Sequence, residues 1–326
     1  MLNKIKSKYI LQNVMSYLSY RNFLNIFKYN QKLQKKLEIS KNDYIKYNQI
    51  EIDIIPIEFN KNIDKQNIIN FFSIEKAYYH IFINDKEIKR RNYLKKDDYS
   101  KKIKIVIEPQ IKSLKRLFYN SKYIKEINFV NFNRIDISDM SYMFYYCENV
   151  VNINLTKFKT NNVINMQSMF SGCKKLQQLN VSNFDTTKVE TMKKMFEECD
   201  SLNELDLSKF NTSKVTNMSK MFRNCLNLKK LIISNFDTAK VDEMDEMFFQ
   251  CKMLKSLNVS SFDTRHVFNM EYMFSICISL IDLDITNFYF DRNAFIDNIF
   301  EGCSNELKDK IKKQNKKLPK NAFGYF

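Results

Sequence analysis

The sequence predicts an α/β solenoid of 26-residue units, each holding one short strand and one short helix, with the strands stacked in a parallel sheet. Three observations predict it. The seven cysteines, from Cys147 and Cys173 through Cys199, Cys225, Cys251 and Cys277 to Cys303, fall 26 residues apart. Two methionine columns keep the same period, Met140 to Met270 and Met143 to Met273, as do two phenylalanine columns, Phe144 to Phe300 and Phe132 to Phe288. Within a unit, a strand-like alternation gives way to apolar residues at helical offsets. A fixed period of about 20–50 residues marks stacked supersecondary units, none of which can bury its apolar side alone.

The unit from Cys199 to Cys225 reads CDSLNELDLSKFNTSKVTNMSKMFRNC. Leu205 and Leu207 alternate with Glu204, Asp206 and Ser208, which predicts a short strand with leucines inward. Phe210 turns the chain inward. Asn211, Thr212 and Ser213 form a polar corner, and Thr212 or Ser213 is placed to cap a following helix. Met218, Met221, Phe222 and Cys225 follow at offsets 0, 3, 4 and 7, one face of a helix. The corner column Lys159, Asp185, Asn211, Asp237 and Asp263 and the threonine column beside it bond turn backbone; one carboxylate per unit is too few for calcium. The cysteines lack the close pairs of a zinc site and read as small buried hydrophobes.

Flanking regions complete the organisation: 1–75, an N-terminal and mainly helical region; 76–110, a strand-containing cap; 111–303, the repeats; 304–326, a basic capping helix and tail. Ile10, Val14 and Leu18, then Phe23, Phe27, Leu33 and Leu37, sit at helical spacing, while IEIDIIPIEF is extended and YYHIFIN and KIKIVIE read as strands. Leu114, Leu117, Phe118 and Ser121 form a degenerate first unit. In the tail, Leu307 and Ile311 turn inward to close the open sheet edge.

Charge narrows the function. The net charge is +16, yet residues 111–303 carry only +1, against +10 for 1–110 and +5 for 304–326. Scattered basic ends without a reading face do not make a specific nucleic-acid surface. No stretch of about 18 apolar residues occurs, so no membrane span is expected. The N-terminal stretch has no apolar block or cleavage site of a secretory signal, which places the chain in the cytosol with reduced thiols. His80 and His266 are the only histidines, and no H-E-x-x-H, phosphate-loop or dinucleotide fingerprint is present. The expectation is a monomer without enzyme activity, cofactor or metal, binding an unidentified protein partner. The candidate contact residues are two outward strand columns: Glu126, Asn152, Gln178, Glu204, Lys230, Ser256 and Asp282, and beside them Asn154, Asn180, Asp206, Ile232, Asn258 and Asp284. These columns vary in charge while the core beneath does not, as expected of a recognition face or of freely drifting solvent positions. Tyr142, Tyr145 and Tyr146 point outward on the first full unit, as a partner anchor or as packing for the N-terminal region.

The segments LDLSKFNTSKVTNMSKMFRNC and LNVSNFDTTKVETMKKMFEEC resemble the BspA-like leucine-rich repeat family, with its leucine strand, F-[DN]-T corner and V-x-x-M-x-x-M-F-x-x-C. The resemblance covers about residues 111–303 and implies a surface-antigen-like leucine-rich-repeat solenoid acting through protein–protein interaction or adhesion. An adhesion role would require export without a recognisable signal. The stretch ILQNVMSYLSYRNFLNIFKYNQKLQKKL resembles an F-box and would make the chain a ubiquitin-ligase substrate adaptor; the other reading of it is a small helical cap.

Overall fold

The computed structural model describes residues 41–58, 64–71, 73–88, 91–95, 98 and 102–324. The expected helices at 5–18 and 22–38, and with them the F-box resemblance, lie outside the described residues.

The described chain is mostly sheet, with few helices. Helix α1 (Lys41–Asn48) leads into strands β1 (Ile50–Pro56), β2 (Lys65–Asn67), β3 (Tyr79–Ile83), β4 (Lys86–Glu87), β5 (Tyr93–Lys95) and β6 (Ile103–Ile107). The repeats contribute β7 (Ile124–Asn131), β8 (Asn152–Asn154), β9 (Glu204–Asp206), β10 (Lys230–Ile232), β11 (Ser256–Leu257) and β12 (Asp282–Leu283), and helix α2 (Asn305–Gln314) follows. One six-stranded sheet runs β4-β3-β6-β1-β7-β8. In it β1 lies antiparallel between β6 and β7, and β7 pairs in parallel with β8.

Within 1–75 the segment expected to be extended forms β1. The first repeat strand is covered by β1 rather than by KIKIVIE, which forms β6 one place further out. Strand β1 alternates Ile50, Ile52 and Ile54 inward, all fully buried. It carries that core into the repeats, where Ile127 and Phe129 of β7 face Ile54 and Ile52. Arg134 ties the two parts together. It occupies the threonine column of the first unit, is 2 % exposed, pairs with Asp136 at 2.9 Å and donates back to the carbonyls of Glu108 and Ile111.

No helix forms within the repeats among the described residues, which corrects the expected strand-plus-helix unit. Met218, Met221, Phe222 and Cys225 are all fully buried, but on consecutive β-turns. Met221 N–H bonds the Met218 carbonyl at 3.2 Å and Cys225 N–H the Phe222 carbonyl at 3.1 Å. The third residues of these turns, Lys220 and Asn224, both sit at φ 59°, which a right-handed helix cannot contain. The N–H groups of Met218, Lys220, Phe222 and Asn224 reach forward to the carbonyls of Glu243, Asp245, Met247 and Phe249 in the next unit, at 2.8–3.0 Å. Left-handed geometry costs a residue with a side chain about 1–2 kcal/mol. The backbone bonds gained between units offset it, because unpaired buried amides cost more than that.

This turn ladder stacks the units without interruption. Parallel bridges link Ser113, Asp139, Asn165, Thr191, Asn217, Glu243, Asn269 and Phe295 in succession. Phenylalanines stack along it from Phe118 to Phe144 (5.6 Å) and onward to Phe274 and Phe300 (5.7 Å). Each cysteine Sγ–H donates to the phenylalanine carbonyl of the preceding unit, as Cys225 does to Phe196 at 3.2 Å. Burial pushes the thiols up, Cys173 and Cys303 to about 12. At the corners, Thr212 caps no helix. Its hydroxyl donates to the Asp237 carbonyl and accepts from the Asp237 N–H, both at 2.8 Å, and Thr160, Thr186, Thr238 and Thr264 repeat the arrangement.

The strand side is discontinuous where one parallel sheet was expected. Strands pair as β7-β8, β9-β10 and β11-β12, and residues 178–180 form no strand. At the far end α2 closes the stack. Ser304 caps it, Leu307 and Ile311 are fully buried, and the Gln314 amide bonds Ile285 N–H and the Leu283 carbonyl at 3.0 Å each, as a neighbouring strand would.

Candidate interaction surface

The strand face is set by alternation: Leu205, Leu231, Leu257 and Leu283 point into the core, so their neighbours point out. Asn152, Gln178, Glu204, Lys230, Ser256 and Asp282 are exposed, and Glu126, lying under the N-terminal sheet, is half-buried. In the adjacent column Asn180, Asp206, Asn258 and Asp284 are exposed while Asn154 and Ile232 are half-buried. Register places these residues side by side, Glu126 against Asn152, Glu204 against Lys230 and Ser256 against Asp282.

The second column has a structural role that its outward position hides. The side-chain oxygens of Asn154, Asn180, Asp206, Asn258 and Asp284 accept the N–H two residues on, at 2.8–3.1 Å, closing the turn after each strand. For Asp206 and Asp284 this bond holds the carboxyl below its ordinary range. The first column carries no such bond among the described residues. The face runs in bands. It is uncharged at Asn152, Asn154, Gln178 and Asn180, acidic at Glu204 and Asp206, basic at Lys229, Lys230 and Lys255, and acidic again at Asp282 and Asp284. Where strand pairing lapses, a cleft of 430 Å³ opens between Asn152, Asn154, Thr156, Gln178, Asn180 and Asn183.

The turn face is wired internally instead. Glu197, 6 % exposed, accepts from Ser171 Oγ at 3.2 Å and lies between Lys194 and Arg223. The Arg223 guanidinium stacks 5.2 Å from the Phe249 ring and pairs with Glu246. Tyr142, Tyr145 and Tyr146 are half-buried against one another and against Tyr119, which stacks on Tyr145 at 5.0 Å. Burial, then the bond to Glu198, raises Tyr146 to about 12. His266 is exposed at its corner. His80, which the sequence left without a role, bridges Glu87 (2.8 Å) and Glu108 (2.9 Å) through its two ring nitrogens. Among the described residues no group of three His, Cys, Asp or Glu side chains is placed to hold a metal ion. None of the described helices is long and apolar enough to cross a membrane.

These features define a repeat protein of stacked, mostly β units whose strand face carries one column that closes no turn. The family model described as "Mycoplasma protein of unknown function, DUF285" matches residues 112–206 and 199–314, and the chain belongs to that family. No curated protein matches it. Among solved structures it is similar to a leucine-rich cell surface protein from Faecalibacterium prausnitzii A2-165, at 17% identity and a TM-score of 0.39. That similarity spans 54% of this chain and 42% of the solved one, less than half its length.

Proposed function

We propose that the repeats form a leucine-rich-repeat solenoid, and that the chain is a non-catalytic scaffold holding a protein partner on its outward strand face. The observation that carries this reading is the contrast within each unit. Core, corner and turn side chains are tied to the neighbouring unit, whereas the column from Asn152 to Asp282 is exposed, changes charge from unit to unit and closes no turn. A surface with those properties can be specific without affecting stability. Contact is centred on Asn152, Gln178, Glu204, Lys230, Ser256 and Asp282, next to the uncharged cleft. In this reading the protein works as a monomer in the cytosol.

Affinity capture tests it with the full chain and two variants, Glu204→Lys combined with Lys230→Glu on the strand face, and Lys175→Glu, exposed between the turns and the strand position, as the control. A partner lost with the first variant and kept with the second supports the assignment. A partner retained by the strand-face variant, with unchanged affinity, overturns it.

A further inference from the structure

Each end of the turn ladder is finished only in part by another segment of the chain. Within the stack, the N–H groups of Leu114, Arg116, Phe118 and Asn120 donate to the carbonyls of Asp139, Ser141, Met143 and Tyr145 one unit on, at 2.7–3.0 Å. In the same register the first unit offers the carbonyls of Ser113, Lys115, Leu117 and Tyr119 to a preceding unit, and no such unit stands there among the described residues. Asn70 supplies half of the missing donors: its N–H bonds the Leu117 carbonyl at 2.7 Å and its side-chain amide the Tyr119 carbonyl at 2.6 Å. The carbonyls of Ser113 and Lys115 receive no donor among the described residues. At the opposite end the Asn298 and Phe300 N–H groups bond the carbonyls of Asn321 and Ala322 at 2.8 Å, so that edge too is paired at two of its four positions among the described residues.

The unfilled half of the first edge opens onto a cavity of 330 Å³ between the N-terminal sheet region and the first unit. One wall is aromatic, with Phe71 and Tyr79 stacked at 5.5 Å. The other presents Lys115 and Arg116. The Arg116 guanidinium is held by two rings, 5.4 Å from Tyr119 and 5.5 Å from Tyr142, and no carboxylate pairs with it among the described residues. A guanidinium fixed by ring stacking keeps its N–H edge free for bidentate binding of a carboxylate. Glu75 is the single acidic side chain lining the cavity, against two cations, of which Lys115 also lies 3.9 Å from Asp139.

We propose that this half-open edge docks an extended peptide of a partner, which adds to the ladder as the missing unit. Its alternate backbone N–H groups bond the Ser113 and Lys115 carbonyls, an acidic side chain meets Arg116, and an apolar or aromatic side chain packs on Phe71 and Tyr79. Main-chain pairing gives such a mode its affinity, and the flanking side chains give it selectivity. The surface is separate from the strand face and stands or falls independently of it.

The test is fluorescence anisotropy with the full chain and four labelled peptides: acetyl-VEFEV-amide, its lysine counterpart acetyl-VKFKV-amide, and two forms of the first, N-methylated at alternate amides. The acidic peptide is expected to bind at least about tenfold tighter than the basic one, and one of the two N-methylated forms is expected to lose binding. Lys115→Gln, at an exposed position, weakens the acidic peptide with little change in the melt, Lys115→Glu weakens it further, and Arg116→Glu inverts the preference. Absence of acidic-peptide binding at about 1 mM, binding indifferent to both N-methylation patterns, or binding unchanged in Lys115→Glu each overturns the proposal.

Discussion

The turn side and the strand side of each unit come from the same 26 residues and behave oppositely. On the turn side every unit bonds the next, from Ser113 to Phe295, and the phenylalanine stack is continued past the last unit by Phe323 at 5.7 Å from Phe300. On the strand side pairing comes in three short pieces, with residues 178–180 in none of them. The stack derives its cohesion from the turn side. Two β-turns per unit, aligned by left-handed residues, make a more continuous backbone ladder than two- or three-residue strands do. The strand side is thereby released to carry residues chosen for other reasons.

The largest effects test that ranking. Phe222→Asp puts a carboxylate in a fully buried stack between Phe196 and Phe248 and is expected to abolish the cooperative thermal melt. The milder Phe222→Ala should cost about 3–5 kcal/mol in chemical denaturation. Leu205→Ala, equally buried on the strand side, should cost about 2–3 kcal/mol. A larger loss at Leu205 than at Phe222 breaks the comparison.

Gly172→Ala sharpens it. Gly172 lies at φ +76° with an added Cβ only 2.7 Å from Tyr146 Cδ2. The expected loss is about 2 kcal/mol in the denaturation midpoint, with part recovered when Tyr146→Ala removes the ring. Thr212→Val tests the corner. It deletes a hydroxyl that both donates to and accepts from Asp237 and should cost about 2 kcal/mol, while Thr212→Ser keeps most of it.

Much of this was legible in the sequence, and each failure has a physical cause. Periodicity identified the core columns, the corner threonines and the inward pair Leu307 and Ile311, because burial depends on spacing alone. It misread the secondary structure carrying those columns, because offsets 0, 3, 4 and 7 suit two stacked β-turns as well as a helix. The signal that separates them was present. The column Asn120, Tyr146, Gly172, Glu198, Asn224, Gln250, Ile276 and Gly302 holds two of the three glycines and two asparagines, the residues that tolerate positive φ. The bonding role of Asn154, Asn180 and Asp206 was hidden because a side chain returning to its own backbone looks from the sequence like any solvent-facing polar residue. The edge at Ser113 and Lys115 is carried by carbonyls, which no side-chain pattern records.

A pH effect distinguishes the N-terminal sheet from the repeats. At His80 burial acts to lower the pKa, but the bonds and charges of Glu87 and Glu108 outweigh it, and the pKa is raised above 6.5. A group raised on folding stabilises fully below its unfolded pKa, and that contribution is lost as pH rises through the folded value. The N-terminal sheet is therefore expected to lose protection in amide exchange as pH rises from about 6 toward 8, after correction for intrinsic exchange, while the repeat amides do not. His80→Gln should flatten the dependence. An equal change across the repeats would assign it elsewhere.

The smallest expected effect on stability is the most informative about function. Glu204 is exposed at the strand face and lies in register with Lys230, without a close ion pair between them. Glu204→Lys should move the melt by no more than about 0.5 kcal/mol, although it reverses the charge of the acidic band. The neighbouring Asp206→Ala removes the acceptor bonded to Ser208 N–H at 2.8 Å and should cost about 1 kcal/mol. Two nearby acidic residues, equally outward, thus differ, since Asp206 holds the turn and Glu204 closes none. If both substitutions leave stability unchanged, the turn bond is immaterial and the two columns form one recognition face. If both destabilise equally, the strand face is committed to the fold as fully as the turn side.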